Sequence, residues 1–325
     1  MCRGRTSTAC TRYSGKSRKG WRSWTSSSLP TPLSRSRSGT VSTLLIVSRK
    51  YRLVAVDLDG TLLNSSHEIP AENHRALADC AAAGVAVVIV TGRRFPGVLP
   101  YLRALDFDAF VVANSGAIIK AGIDGPILRR RLLPQSVAER VLDIADQSAM
   151  EAVLHDGPSA EGHLILRESA RKLPHLARYL SRATPPPAWT DVLRLERDPV
   201  QIGFANSVSA IRSFVTVLTT ELGARRDEVS LARTEYPVDD LALLAVLPTE
   251  ATKSSALWFL SERLGIKMSE TLAIGDNWND LDMLEHAGMG VVMQNAAEEL
   301  RARGFEETGT NDEAGVALAI RRYVL

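Results

Sequence analysis

The stretch VAVDLDGTLL (residues 54–63) decides how this chain folds. Val54, Ala55 and Val56 read as a buried strand, yet the run ends in two carboxylates one residue apart, Asp57 and Asp59, followed at once by Gly60 and Thr61. Alone, Asp-x-Asp-Gly-Thr also suits a surface turn, where Asp and Gly are common. The neighbouring sequence favours a different setting. From Tyr51 onward, apolar runs alternate with amphipathic stretches: a strand at 51–59, a helix at 70–84 that opens on Pro70 and stops at Gly84, a strand at 85–93, a largely helical segment at 95–106 and a strand at 109–117. This is the rhythm of a βα-repeating parallel sheet, and continuous Val, Ile and Leu runs mark strands covered on both faces.

After Lys120 the texture changes. Residues 124–237 carry Pro126, Pro134, Pro158, Pro174, Pro185 to Pro187, Pro199 and Pro237, with less regular strand signals in EAVLH (151–155) and HLILR (163–167). We read an inserted second domain of mixed α and β character. The βα rhythm then resumes with LALLAVLP (241–248), a helix over 252–265, a strand at 271–276, a helix at 279–288 and a strand at 289–293. The expected architecture is α/β: a Rossmann-like doubly wound parallel-sheet core from residues 49–123 and 238–325, with an inserted α/β domain at 124–237.

The 325 residues are 45% apolar, enough for a substantial core. The longest apolar runs, VAVVIV (85–90) and LALLAVL (241–247), fall far short of the roughly 20 residues that cross a bilayer, so no transmembrane segment is expected. A net charge of +2 hides an asymmetry. Residues 1–50 hold eleven Lys and Arg and no acid, which leaves 28 basic against 37 acidic residues and a net of −9 in the remainder. Residues 1–48, rich in Ser, Arg and Thr, bury too little to order themselves and are expected to be a disordered basic tail. It reads as a transit peptide, as a basic nucleic-acid-binding arm, or as sequence upstream of a start near Val47 or Ser48. Of three cysteines, Cys2 and Cys10 lie in that tail and Cys80 stands alone, so a disulfide framework is not expected and a reducing cytoplasm is the plain inference.

Three strands end in polar signatures: VAVDLDGT, VVIVTGR and LAIGDNWND. In open α/β sheets ligands bind outside the carboxyl ends of the strands, so Asp57, Asp59, Thr91, Asp276 and Asp280 are candidates for one site. Two like charges ~4 Å apart repel by about 4 kcal/mol at an effective dielectric near 20, so such a cluster demands a cation. Oxygen-only ligands select a hard ion, and Mg²⁺ binds through few carboxylates plus a phosphate. A carboxylate nucleophile then fits: an ionised Asp attacks phosphorus to give an aspartyl-phosphate, and a second carboxyl two residues on handles the protons.

Together, DLDGT (57–61), TGR (91–93), Lys253 in TEATKSSAL and GDNWND (275–280) resemble the four ordered motifs of the haloacid dehalogenase superfamily, in particular its Cof-type (subfamily IIB) phosphatases. AGMGVVMQNA (287–296) and TGTNDEAGVALAI (308–320) are similar to that subfamily's endings, so the resemblance runs from about Arg52 to the C-terminus. It implies that Asp57 is the nucleophile and Asp59 the general acid/base. Mg²⁺ would be held by the Asp57 carboxylate, the Asp59 backbone carbonyl and Asp276, with Asp280 in the outer shell. Thr91, Gly92 and Lys253 would hold the phosphoryl group, with Asn279 beside phosphate or substrate. Independently of the resemblance, Lys253 falls in the first turn of a predicted helix, where free amides and the helix dipole suit an anion. The insertion would be a cap closing over the site. Two positions depart from the pattern: Ser115 interrupts the usual Asn-Gly-Ala in ANSGA (113–117), and Gln294 replaces a small residue.

The expected function is Mg²⁺-dependent hydrolysis of a small phosphate monoester, a sugar phosphate or similar metabolite. The alternatives are a phosphotransferase or phosphomutase on the same core, and a non-catalytic metabolite-binding regulator. The partner is a small phosphorylated metabolite, with no membrane, and no nucleic acid for the body of the chain. Six histidines show no His-x-x-x-His pair for a metal, and Trp258 and Phe259 are expected in the core.

Overall fold

A computed structural model of the chain describes residues 49–156, 162–181 and 183–325. The expectations for the tail at 1–48 lie outside the described residues. Among those described, the strands form two sheets.

The first sheet holds β1 (Leu53–Asp57), β2 (Ala86–Val90), β3 (Phe110–Ala113), β4 (Ile118–Lys120) and β5 (Ile127–Arg130), together with the strands Thr271–Gly275, Met289–Met293 and Glu306–Thr308 from the end of the chain. The second holds β6 (Ala152–Asp156), β7 (His163–Arg167), β8 (Ala188–Thr190), β9 (Gln201–Asn206), β10 (Val229–Tyr236) and β11 (Leu241–Pro248). Numbering the last three strands of the first sheet β12, β13 and β14, its order is β14-β13-β12-β1-β2-β3-β4-β5. Pairing is parallel from β14 to β3 and antiparallel at β4 and β5.

The unbroken apolar runs have a direct cause. Alternate residues of β1 feed two hydrophobic clusters: Val54 and Val56 pack with Val87, Ile89, Leu272 and Ile274, while Leu53 and Ala55 pack with Val88, Val90, Leu257 and Leu260. All five β1 residues are buried, as strands covered on both faces require. Each fully buried Val or Leu contributes ~1.5–3 kcal/mol relative to exposure.

Two sequence expectations need correction. LALLAVLP (241–248) forms a strand with the bounds expected, but it does not resume the parallel rhythm. As β11 it pairs antiparallel with β10 and β9 in the second sheet. The short turn Pro237–Asp239, closed by Asp240 at φ 43°, folds β10 back onto it, and only antiparallel neighbours accept so short a link. At the other boundary, β5 belongs to the first sheet, whereas the helix Gln135–Gln147 packs on the second through Val137, Val141 and Leu142, so the inserted layer begins after β5 and runs to Pro248 where the sequence suggested 124–237. The second correction is Trp258, which is 53% exposed on the helix Lys253–Leu264. Buried Ala256, Leu257 and Leu260 take the core-facing stripe of that helix, and Phe259 is partly buried beneath the Arg129 guanidinium.

Candidate active site

Strand register builds the site. On one side of β1, Val56 pairs with Ile274 of β12, and on the other, Asp57 pairs with Val90 of β2. Asp276 and Thr91 each follow directly on their strands, so Asp57, Thr91 and Asp276 meet at three adjacent carboxyl ends. Lys253 arrives from the second sheet: β11 ends at Pro248, and four residues later Thr252 caps the helix Lys253–Leu264 through reciprocal hydrogen bonds with Ser255. Lys253 is thus the first helical residue, as the sequence suggested.

Its ammonium is completely enclosed. Lys253 Nζ donates to Asp57 Oδ1 at 2.6 Å and also to Asp280 Oδ1. Asp280 Oδ2 accepts from the backbone amides of Asp276 (3.1 Å) and Asn277 (3.0 Å), which ties the loop after β12 to the lysine. Thr61 Oγ1 donates to Asp276 Oδ1 at 2.7 Å, fixing that carboxylate from the β1 side. Thr91 Oγ1 accepts from the Arg93 amide at 3.1 Å, leaving the threonine proton available to a ligand. Asn279 lines the cavity, and its Oδ1 is buried without a hydrogen-bond partner.

Asp59 occupies a different environment. After Asp57 the chain curls, with the Leu62 and Leu63 amides donating to the Asp57 and Leu58 carbonyls, and the Asp59 carboxylate is gripped by both arms of Arg93, at 2.7 Å from Nε. The Arg93 fork also donates to Tyr101 Oη and the Gly97 carbonyl. Two acids one residue apart thereby have separate partners, an ammonium for Asp57 and a guanidinium for Asp59.

Charge is unbalanced at the first of these. Carboxylate oxygens of Asp57, Asp276 and Asp280 lie within 4.8 Å of one another, with Lys253 as their cation. Burial, then the Asp280 charge, pushes Asp57 up to about 8 despite Lys253, and the Asp59 charge adds to the rise. Asp276 is held well above the usual carboxylate range by burial and by Asp57 and Asp280, against the Thr61 hydrogen bond. Burial works against the Lys253 ammonium, but Asp280 and Asp57 outweigh it and raise its pKa. A buried all-oxygen set with more negative charge than its lysine neutralises fits a hard divalent cation. Asp57 and Asp276, with Asp280 beside them, are the residues that would hold it.

Gly60 makes that geometry possible. Its φ is +78°, and a Cβ there would stand 2.3 Å from Asp276 Oδ2. Gly60→Ala is expected to displace the Asp276 carboxylate and weaken divalent-metal affinity by about 10- to 100-fold, read from metal titration by calorimetry. An unchanged titration would show that Asp276 does not need this clearance.

Between the two sheets lies a cavity of about 520 Å³, walled by Asp57, Asp59, Thr91, Gly92 and Asn279 on one side and by Tyr179, Gln201 and Tyr236 on the other. Lys253 and Asp280 are buried beyond its wall, at 1% and 0% side-chain exposure. Residues of the second sheet enter through contacts that no motif announced. The Asn277 side chain brackets the Glu235 backbone, accepting from its N–H at 3.2 Å and donating to its carbonyl at 3.0 Å. Tyr236, next along β10, reaches the cavity, and burial with the charges of Asp59, Asp276 and Asp57 keeps its phenol protonated. Asn114, at φ 49°, spans the sheets as well, donating to Gln201 Oε1 at 3.2 Å beside His155. Arg93 was legible inside TGR. Tyr236, Gln201 and His155 sit in irregular insertion sequence with no pattern to mark them.

His155 is fully enclosed by Asn114, Gln201 and Tyr179. Burial and the Arg94 charge push it down to about 3. Because its folded pKa lies below the unfolded value near 6.5, the unfolded chain binds more protons between pH 3 and 6.5, and stability falls as pH drops through that window. Slope is about 1.4 kcal/mol per pH unit for one such group. His155→Gln is expected to flatten the pH dependence of thermal unfolding between pH 6.5 and 4.5; an unaltered acid limb would contradict the assignment.

Fold and site together define the class: a Rossmann-like α/β enzyme whose strand ends converge on an acidic, cation-demanding centre. The sequence matches the haloacid dehalogenase-like hydrolase family over residues 54–320. It is 31% identical over 283 residues to phosphatase YwpJ of Bacillus subtilis, covering 82% of this chain and 97% of that protein. It is 32% identical over 253 residues to the HMP-PP phosphatase of Citrobacter koseri, covering 77% and 87%. Among solved structures, a haloacid dehalogenase-like hydrolase from Bacteroides thetaiotaomicron superposes with a TM-score of 0.68 at 27% identity, over 84% of this chain and 99% of that one. The chain belongs to the haloacid dehalogenase-like hydrolases, and within them it is a phosphatase. Among the described residues, no helix is long and apolar enough to cross a membrane.

Proposed function

We propose that the protein hydrolyses a small phosphate monoester, with Mg²⁺ as cofactor and Asp57 as the phosphoryl acceptor. The observation that carries this reading is the convergence of Asp57, Asp276 and Asp280 around the buried Lys253 at the carboxyl ends of β1 and β12. Bound between those carboxylates, the cation would offset charge on the phosphoryl group.

The residues divide the remaining work. Asp57 Oδ attacks phosphorus as the bond to the leaving oxygen breaks, and Asp59, swung out of the Arg93 fork and protonated, gives that oxygen its proton. The product is an aspartyl-phosphate on Asp57. Asp59, now a carboxylate, takes a proton from water; the water oxygen attacks phosphorus, the bond from Asp57 breaks, and inorganic phosphate leaves. Thr91 and the Gly92 amide would orient the phosphoryl oxygens, and Lys253, which donates to Asp57 Oδ1, would hold that carboxylate in line. Asn279, with its unpartnered Oδ1 on the cavity wall, faces phosphate or substrate. The second sheet acts as a cap that keeps bulk water from the intermediate. A sugar hydroxyl in place of water would make the same core a phosphotransferase.

The name of the Citrobacter koseri relative supports a small phosphorylated metabolite as substrate. The cysteine usage supports a reducing cytoplasm as the setting. Phosphate release from p-nitrophenyl phosphate is expected to vanish in EDTA and to return with Mg²⁺. Turnover indifferent to chelation would remove the metal from this account. A screen of phosphate release across sugar phosphates, nucleotides and phosphorylated cofactors then identifies the leaving group.

A further inference from the structure

The cations on and behind the cavity wall are not equivalent. Lys253 is spoken for by Asp57 and Asp280, Arg93 by Asp59, and Arg178 by Asp239 at 2.6 Å. Arg94 also lines the cavity and is only 8% exposed, and no carboxylate among the described residues pairs with it. Its hydrogen-bond partner is the Gly162 carbonyl, to which one arm of the guanidinium donates. Its stem lies against Gly162, where a Cβ would come 3.2 Å from Arg94 Cδ. Burial lowers the Arg94 pKa, with only Tyr179 acting in the other direction, the reverse of the salt-bridged Arg93.

A guanidinium has five N–H donors in a planar fork, a shape that matches a carboxylate or phosphate. Keeping one buried without an acid is costly unless a ligand supplies the anion. The cavity is thus polarised. Carboxylates in excess of their lysine stand at the strand ends, and on another part of the wall stands a cation that no carboxylate among the described residues meets. Arg94 follows Thr91 by three residues, so the two Cα atoms are at most about 11 Å apart. Both ends of one small molecule can reach them.

We propose that Arg94 binds a second acidic group of the substrate, so that the preferred substrates are small phosphate monoesters that also carry a carboxylate or a second phosphate. This rests on the phosphatase reading above and names the substrate class within it.

The test compares matched esters with the purified full chain and Mg²⁺: glucose 6-phosphate, 6-phosphogluconate and fructose 1,6-bisphosphate. Wild type is expected to favour one or both doubly acidic esters over glucose 6-phosphate in kcat/KM by about 10- to 100-fold, the worth of one to two charge-assisted hydrogen bonds. The better of the two reports whether carboxylate or phosphate is the natural partner. In Arg94→Met that ratio is expected to fall toward one, chiefly through KM, while Arg94→Lys keeps part of it. Thermal unfolding checks that both variants fold. No preference in wild type, or a ratio unchanged in Arg94→Met, would overturn the proposal. Calorimetric binding of the same esters to Asp57→Asn, with and without Arg94→Met, reads the second acid without turnover. Discrimination there with no phosphate released by wild type would reject the hydrolytic reading and keep Arg94; turnover without discrimination would do the opposite.

Discussion

Asp57→Asn is expected to release no phosphate from p-nitrophenyl phosphate above background, a loss of about 10⁴-fold or more, in keeping with removal of other enzymic nucleophiles. An amide is nearly the same shape as the carboxylate but is not a nucleophile toward phosphorus. The fold should survive. Asp57 is buried among Asp280 and Asp59 and is pushed up to about 8, so without metal at neutral pH the folded chain must hold it protonated while the unfolded chain ionises it, a cost to stability. An amide carries no such cost. The thermal midpoint of Asp57→Asn in EDTA is therefore expected to match or exceed that of wild type. Wild-type turnover by this variant would end the nucleophile assignment, and a collapsed midpoint would mean that the Lys253 contact matters more to stability than repulsion does.

The second large effect concerns Lys253. It is 1% exposed and neutralises two buried carboxylates, Asp57 and Asp280, whose own side chains are 7% and 0% exposed. Lys253→Met keeps the bulk of the stem and removes the charge. Leaving a buried ion pair half-broken costs about 3–5 kcal/mol, which lowers the midpoint by roughly 10 °C in a chain of this size. Turnover should fail as well, because Asp57 loses the contact that orients it. Added Mg²⁺ is expected to recover part of the midpoint and none of the orientation. An unchanged midpoint in EDTA would show that the carboxylates relax by taking up protons, and that the lysine is no keystone of the site.

Much of this centre was legible because motif residues sit where strand periodicity ends. Asp57, Thr91 and Asp276 each close an apolar run, and parallel register alone carries three such ends to one edge. Lys253 was readable from a helix start, and Thr252 with Ser255 supplies the cap that fixes it. The limits were equally physical. LALLAVLP has the composition of a parallel core strand, yet it lies in the second sheet, since hydrophobicity records burial and not the partner strand. What settles its place is the turn at Pro237–Asp239, whose brevity carried the information. The Asn277 bracket on Glu235 was hidden for another reason. It joins a side chain to a backbone 42 residues away, and backbone groups leave no trace in residue identity. Arg94 directly follows TGR with nothing in the sequence to mark it; its burial without a carboxylate partner among the described residues distinguishes it.

The most direct measurement is chemical trapping of the intermediate. Wild type turning over p-nitrophenyl phosphate with Mg²⁺ is quenched in acid and treated with borohydride, which reduces an acyl phosphate to an alcohol but leaves free carboxylates intact. Peptide mass spectrometry should then find homoserine at position 57, absent when substrate is omitted and absent in Asp57→Asn. Turnover with no homoserine at position 57, or with homoserine at another aspartate, would contradict the account.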